Sequence, residues 1–234
     1  MTCYGGEMKG RIKTVVKVIA AVIVFQLVSF LGTELLALVL VNTSLDSEGI
    51  RTAFSWGSSL VTICIAFPAF VGISALLKMK TKGMFSETGR LSGKDAAIRI
   101  LLAMLPMLIL YGVLLVKRLN GEDVLAFVAW NPKDLPQSIL ISCLLMPVVE
   151  EYMFRGIVLQ NMKPYGKWLA IILSTVLFAI GHGNPVNILL SLVPGLVFAE
   201  TAWKTEGIRY GIFFHILVNC FGQIIFPMVL TGIC

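Results

Sequence analysis

The sequence predicts an all-α, polytopic membrane protein of about seven transmembrane helices. Composition is the first reason: 57% of the 234 residues are hydrophobic and only 14% are charged, with a mean hydropathy of +0.89. Soluble domains carry about 25% charged residues. The second reason is the arrangement of the apolar residues in long unbroken runs, as spanning helices require, without the ten-residue alternation of a membrane β-barrel. The third is where the cations lie. The net charge is +6, but the basic residues sit between apolar runs, where they set orientation. A nucleic-acid partner is therefore not expected, and the lipid bilayer is.

The first span is read as Thr14 to Val41, with Lys17 able to reach the interface. Its apolar run is too long for a signal peptide. After the polar loop Asn42–Arg51 comes a second span, Phe54 to Leu77, then a basic loop, Lys78 to Ala96, and a third span, Ala97 to Val116. In the linker Lys117–Pro136, the apolar piece Val124–Trp130 is too short to cross and is expected at the interface. The remaining spans are read as Gln137–Met162, Trp168–His182, Pro185–Trp203 and Ile208–Ile233, joined by tight turns. With the N-terminus in the cytoplasm, 12 loop and tail Lys/Arg fall on the inner side and 4 on the outer. The five cysteines show no metal-binding spacing and are expected to be small buried hydrophobes.

The fourth span carries the chemistry. Pro147-Val-Val-Glu150-Glu151-Tyr-Met-Phe-Arg155-Gly156 puts two carboxylates and a guanidinium in an apolar segment, where each charge costs roughly 2.5–3.5 kcal/mol on insertion scales. Glu151 and Arg155 lie four apart, the favourable order for a helical ion pair. Glu150 faces about 100° away and has no partner in its own helix. Pro147 is expected to kink the helix and free the carbonyl of Cys143.

Both histidines of the chain lie in later apolar spans: His182 ends Phe178-Ala-Ile-Gly-His182, and His215 opens His215-Ile-Leu-Val-Asn219. A lone intramembrane histidine reads as a hydrogen bond between helices. Two histidines, an unpaired glutamate and an asparagine on neighbouring spans read as a cluster of Glu150, His182, His215 and Asn219. Depth qualifies this, because at 1.5 Å per residue His215 lies only about 9–10 Å beyond Arg209 while Glu150 and His182 lie roughly 18–20 Å deep. The seventh span must therefore tilt, start deeper or end in a cavity. Such a cluster could hold a water and take its proton, with an imidazole and an amide stabilising an oxyanion. Equally, Glu150, His182 and His215 are a workable zinc set with an open position, although His-Glu-x-x-His is absent. Glu34 and Glu200 sit near span ends, where snorkelling or pairing would account for them.

The order Glu-Glu-x-x-x-Arg, Phe-x-x-x-His, His-x-x-x-Asn on successive apolar segments resembles the CPBP family. Its members are the CAAX prenyl endopeptidases and bacteriocin-processing enzymes, also called Abi proteins. The motifs that carry the resemblance are Glu150–Arg155, Phe178–His182 and His215–Asn219, with Pro147 and Gly156 flanking the first. The resemblance divides the chain into N-terminal helices and linker, 1–136, and a CPBP-like core, 137–234. It implies an intramembrane endopeptidase in which Glu150 activates water with His182. His215 and Asn219 would then line the cavity as an oxyanion hole, and Glu151 and Arg155 would support them. Family members are often called metalloproteases, with a metal-free glutamate mechanism as the rival. The implied partner is a peptide, or a prenylated or leader-bearing protein, in the membrane.

A different class of function also fits: a non-catalytic membrane partner of a sensor kinase or exporter, or a bacteriocin-immunity protein, with the motif residues packing helices together. Glu150→Gln separates the two, since a scaffold tolerates an isosteric change. Lys163, Lys167 and Arg209 lie near the motif spans, so the cavity is expected to open toward the cytosol.

Overall fold

The computed structural model describes residues 2–86, 88–124 and 131–232, with side chains from residue 8 onward. Seven helices follow in order: α1 Thr2–Val41, α2 Ser47–Leu76, α3 Gly93–Leu119, α4 Pro132–Tyr165, α5 Lys167–Ile180, α6 Pro185–Thr205 and α7 Arg209–Thr231. No strand occurs among the described residues. Six of these helices are long and apolar enough to cross a membrane, and α5 is shorter. Of the expected interfacial piece, only Val124 is described; it is buried beside Leu114 and Leu230, and 125–130 lie outside the described residues.

Helices α2, α3, α4 and α6 start where capping residues stand. Asp46 accepts from the amide of Gly49, Ser92 from that of Asp95, Asn131 from that of Lys133 and Asn184 from that of Val186. Each satisfies an N–H that the first turn leaves unpaired. Lys17 reaches back from α1 to the carbonyl of Leu77 at 2.6 Å, so it caps the end of α2 instead of snorkelling free. Glu200 pairs with Arg99 and Lys167, which accounts for its place near a helix end.

α4 is the axis of the bundle and packs on α1, α5, α6 and α7. Its core face, with Met153, Ile157, Leu159 and Arg155, is fully buried. The outer helices expose rows of leucine and isoleucine, among them Leu31, Leu35 and Leu38 on α1 and Leu101, Leu105 and Ile109 on α3, as surfaces in contact with hydrocarbon do. Of the three cysteines described, Cys143 is buried, Cys220 partly so, and Cys64 is exposed on α2. The expectation of buried cysteines fails for Cys64, because the lipid-facing side of a span is as apolar as its core.

Three departures from regular geometry shape the interior. The first is in α4, which winds as a π-helix over Ser138–Leu145 and again over Tyr152–Leu159, on either side of Pro147 and the glutamates. The second is α5, whose 14 residues extend about 21 Å against a hydrocarbon thickness of about 30 Å. It stops at Ile180, short of the His182 expected within it, and the chain turns through Gly183, at φ +67°, into α6. Backbone outside a helix is tolerated at membrane depth where it borders a cavity. The third is the α6–α7 turn. Thr205, Gly207 and Ile208 are buried, covered by the 78–92 segment, whose Met84 carbonyl accepts from the amide of Ile208 at 3.1 Å. α7 therefore starts deep in the bundle, one of the ways open to it for bringing His215 to the level of Glu150.

Candidate active site

Each motif contributes to one polar cluster. Within α4, Arg155 Nη1 donates to Glu151 Oε1 at 3.0 Å, and both side chains are completely buried. Arg155 Nη2 donates to the carbonyl of Gly195 at 2.9 Å, and the guanidinium lies 4.3 Å from the ring centre of Phe178. The ion pair expected from sequence is present, with aromatic faces replacing some of the water a cation loses. Glu151 Oε2 and Arg155 Nε have no hydrogen-bond partner among the described residues.

His215 connects this pair to Glu150. Its Nδ1–H donates to Glu151 Oε1 at 3.1 Å, while Nε2 faces Glu150 Oε2 at 3.4 Å. A carboxylate paired with Arg155 only accepts hydrogen bonds, so the proton on Nδ1 is assigned by chemistry. The imidazole is sandwiched by ring contacts, stacking on Phe198 at 5.0 Å and meeting the edge of Phe178 at 5.6 Å. The two adjacent glutamates, expected to face apart, thus reach the two nitrogens of one ring. Glu151 is sealed in the core, and Glu150 is about one-fifth exposed.

His182 sits past the end of α5, where its Nδ1–H donates to the carbonyl of Phe178 at 3.0 Å. A carbonyl accepts only, so in the neutral ring the lone pair is on Nε2. His182 makes no direct hydrogen bond to Glu150 among the described residues; both border the same cavity. Asn219 lies one helical turn beyond His215, and its Nδ2 donates to the carbonyl of Ser142 at 2.8 Å. Proline has no N–H, and in the π register of this segment the missing bond at Pro147 is to the residue five back, Ser142. The freed carbonyl is therefore that of Ser142, where an α-helical count gave Cys143, and Asn219 caps it.

Glu150, His182, His215 and Asn219 all line one cavity of about 650 Å³, with Phe178 and Phe198 in its walls. The sequence did not single out Tyr111, Gln137 or Ser142, which line it too. Their polar groups on otherwise apolar helices were the available signal. The cavity wall continues through Gln137 and Asp134 of α4 to Val186 and Asn187 of α6. These lie at the end of the bundle opposite Lys163, Lys167 and Arg209, so the expected opening beside those cations is corrected.

Among the described residues no group of three His, Cys, Asp or Glu side chains is placed to hold a metal ion. Each histidine commits Nδ1 to a hydrogen bond, His215 to Glu151 and His182 to the carbonyl of Phe178, and keeps Nε2 for another partner, as a metal-bound histidine does. These donors suit zinc in kind, but among the described residues Glu150, His182 and His215 are not gathered into one such group, and no step below runs through a metal.

Gly211 on α7 abuts the cluster: a Cβ there would come within 2.7 Å of Glu151 Oε2. The carboxylate is held by Arg155 and His215 and cannot give way. Gly211→Ala is expected to cost about 1–3 kcal/mol, as overpacking does. Gly112→Ala on α3, where nothing lies within 4 Å, is expected to be neutral or slightly stabilising. Melting temperatures in detergent read both.

The fold and the cluster together define a helical membrane protein with carboxylate, imidazole and amide groups converging on an internal cavity. Residues 132–221 match the family described as type II CAAX prenyl endopeptidase Rce1-like, and the three motifs fall within that segment. Over 88 residues the chain is 32% identical to "Putative membrane peptidase YdiL" of Bacillus subtilis (strain 168), a match covering 37% of this chain and 36% of that protein. The aligned stretch thus spans about a third of that relative's length. No solved structure gives a match.

Proposed function

We propose that this protein is an intramembrane endopeptidase that hydrolyses a peptide bond in a membrane-associated peptide or protein. The observation that carries this reading is the only partly buried Glu150, facing a cavity beside His215 Nε2 at 3.4 Å, with His182 and Asn219 on the same walls. The match of residues 132–221 to the CAAX prenyl endopeptidase family supports it.

In this reading Glu150 takes a proton from a water that also donates to Nε2 of His182. The water oxygen adds to the scissile carbonyl carbon, and the carbonyl oxygen becomes an oxyanion. Asn219 gives one N–H to Ser142 and has a second for the oxyanion. His215, oriented through Nδ1 by Glu151, holds Nε2 at the Glu150 carboxyl; as the oxyanion reverts to a carbonyl the C–N bond breaks, and Glu150 passes the proton taken from water to the leaving amine nitrogen. Glu151 and Arg155 act as positioning residues for that imidazole. The substrate enters extended, since a helical segment hides its carbonyls in its own hydrogen bonds.

The test is the purified chain in liposomes with candidate membrane peptides, products being read by mass spectrometry. His182→Ala is expected to abolish measurable cleavage while the melting temperature stays near wild type, because among the described residues the His182 side chain hydrogen-bonds to the carbonyl of Phe178 on its own helix. Chelation with EDTA is expected to leave the rate unchanged; loss of activity restored by zinc would overturn the metal-free mechanism.

A further inference from the structure

We infer that the catalytic cavity is served from the non-cytoplasmic face, so that its substrate is a peptide segment emerging on that side and not a cytosolic chain terminus. This deepens the endopeptidase reading and rests on it for the word catalytic. Three observations converge.

The first is charge. The end of the bundle formed by the start of α1, the 78–92 segment, the start of α3, the α4–α5 turn and the α6–α7 turn carries 12 of the loop and tail Lys/Arg, and the other end carries 4. An asymmetry of that size places the basic end in the cytoplasm.

The second is that the basic end is closed. The 78–92 segment is tied across it at several points. Lys80 and Asn161 exchange two hydrogen bonds, and Tyr152 donates to the carbonyl of Thr81 at 2.7 Å. The amides of Thr88 and Gly89 donate to the carbonyl of Thr205 at 3.2 and 3.1 Å. Met84 is buried against Gly156, where a Cβ would fall 2.4 Å from its sulfur. Between this seal and Glu150 the face of α4 is packed by Met153, Phe154 and Ile157, none of which is among the described residues lining the cavity.

The third is that the cavity runs the other way. From Glu150 its lining passes Ser142, Ser138 and Gln137 to Asp134 on α4, and reaches Asn187 on α6. Asn187 is exposed. The short α5 begins at the basic end and stops at Ile180, leaving the helical wall lower on the opposite side, where His182 stands. The α3 side of the passage is mainly apolar, with Met107, Leu110 and Leu114 beside Tyr111, whose hydroxyl donates to the carbonyl of Gly222. An extended segment with one polar and one apolar side fits that passage.

The experiment uses the full chain with its five cysteines changed to alanine and one cysteine returned, as Asn187→Cys or Lys204→Cys. Intact cells and inside-out vesicles are treated with a membrane-impermeant maleimide. Asn187→Cys is expected to label in intact cells and Lys204→Cys only in inside-out vesicles; the reverse pattern overturns the inference. The unaltered chain gives a second reading, since trypsin is expected to cut at the exposed Lys82 and Arg90 only in inside-out vesicles. Cutting there in sealed right-side-out vesicles overturns the inference as well. Labelling Asn187→Cys with a bulky maleimide is then expected to block peptide cleavage, and undiminished cleavage after full labelling would show that substrate enters elsewhere. Labelling reads orientation whether or not a peptide is cut. The expected pattern without any cleavage therefore counts against the protease and leaves the orientation standing.

Discussion

Glu150→Gln is expected to slow peptide cleavage about 10²–10⁴-fold, the range over which a positioned proton-transfer group contributes. Folded yield and melting temperature should stay near those of the wild type. The amide keeps the shape of the carboxyl but cannot accept a proton from water. Stability is spared because Glu150 is not in the sealed ion pair: its side chain is about one-fifth exposed to the cavity, and its contact to His215 is a long 3.4 Å. His215→Ala is expected to give a comparable rate loss. The double variant should be little worse than either single one, since groups that act as a unit are not additive. Single-turnover cleavage in liposomes, with thermal unfolding of the same preparations, makes the measurement. A Glu150→Gln protein that cuts at the wild-type rate would remove Glu150 as the base and restore the scaffold reading.

The spacing rules of an α-helix made Glu151–Arg155 legible in the sequence, and three polar motifs on successive apolar runs made the cluster legible. The seven helices followed from apolar length and the tight turns between them. What the sequence concealed has particular causes. A uniform rise of 1.5 Å per residue put His215 too near the surface. Burial of Thr205, Gly207 and Ile208 beneath Met84 depends on a loop more than a hundred residues earlier in the chain. An α-helical count gave Cys143 as the carbonyl freed by Pro147, and the π register moves it to Ser142. π-helical turns leave no simple mark in composition. Cations beside the motif spans suggest a mouth there, but the cation-bearing 78–92 segment closes that end and the cavity lining runs to Asp134 and Asn187 instead. The two glutamates were expected to diverge. They meet at one imidazole because α7 approaches α4 closely enough at Gly211 for His215 to reach both.

Arg155→Ala is expected to destabilise the protein by about 3–5 kcal/mol, the cost of stranding one partner of a buried ion pair. Four losses fall together. Glu151 is left without its cationic partner in a completely enclosed site. The carbonyl of Gly195 loses its donor at 2.9 Å, and the rings of Phe178 and Phe198 lose the guanidinium between them. The removed side chain is among the largest that are fully buried, so a void remains in the core. Replacing both charges by hydrocarbon, as Glu151→Leu with Arg155→Met, should recover part of the stability, because no lone charge is then left in the core. It should not recover cleavage, because His215 Nδ1 loses the carboxylate that orients it. Melting temperatures of Arg155→Ala, the double variant and Glu150→Gln in one detergent set the order: Arg155→Ala lowest, the double variant between, Glu150→Gln highest. Equal melting of Arg155→Ala and Glu150→Gln would mean that the Glu151–Arg155 pair does not hold the core, and with it would go the support assigned to His215.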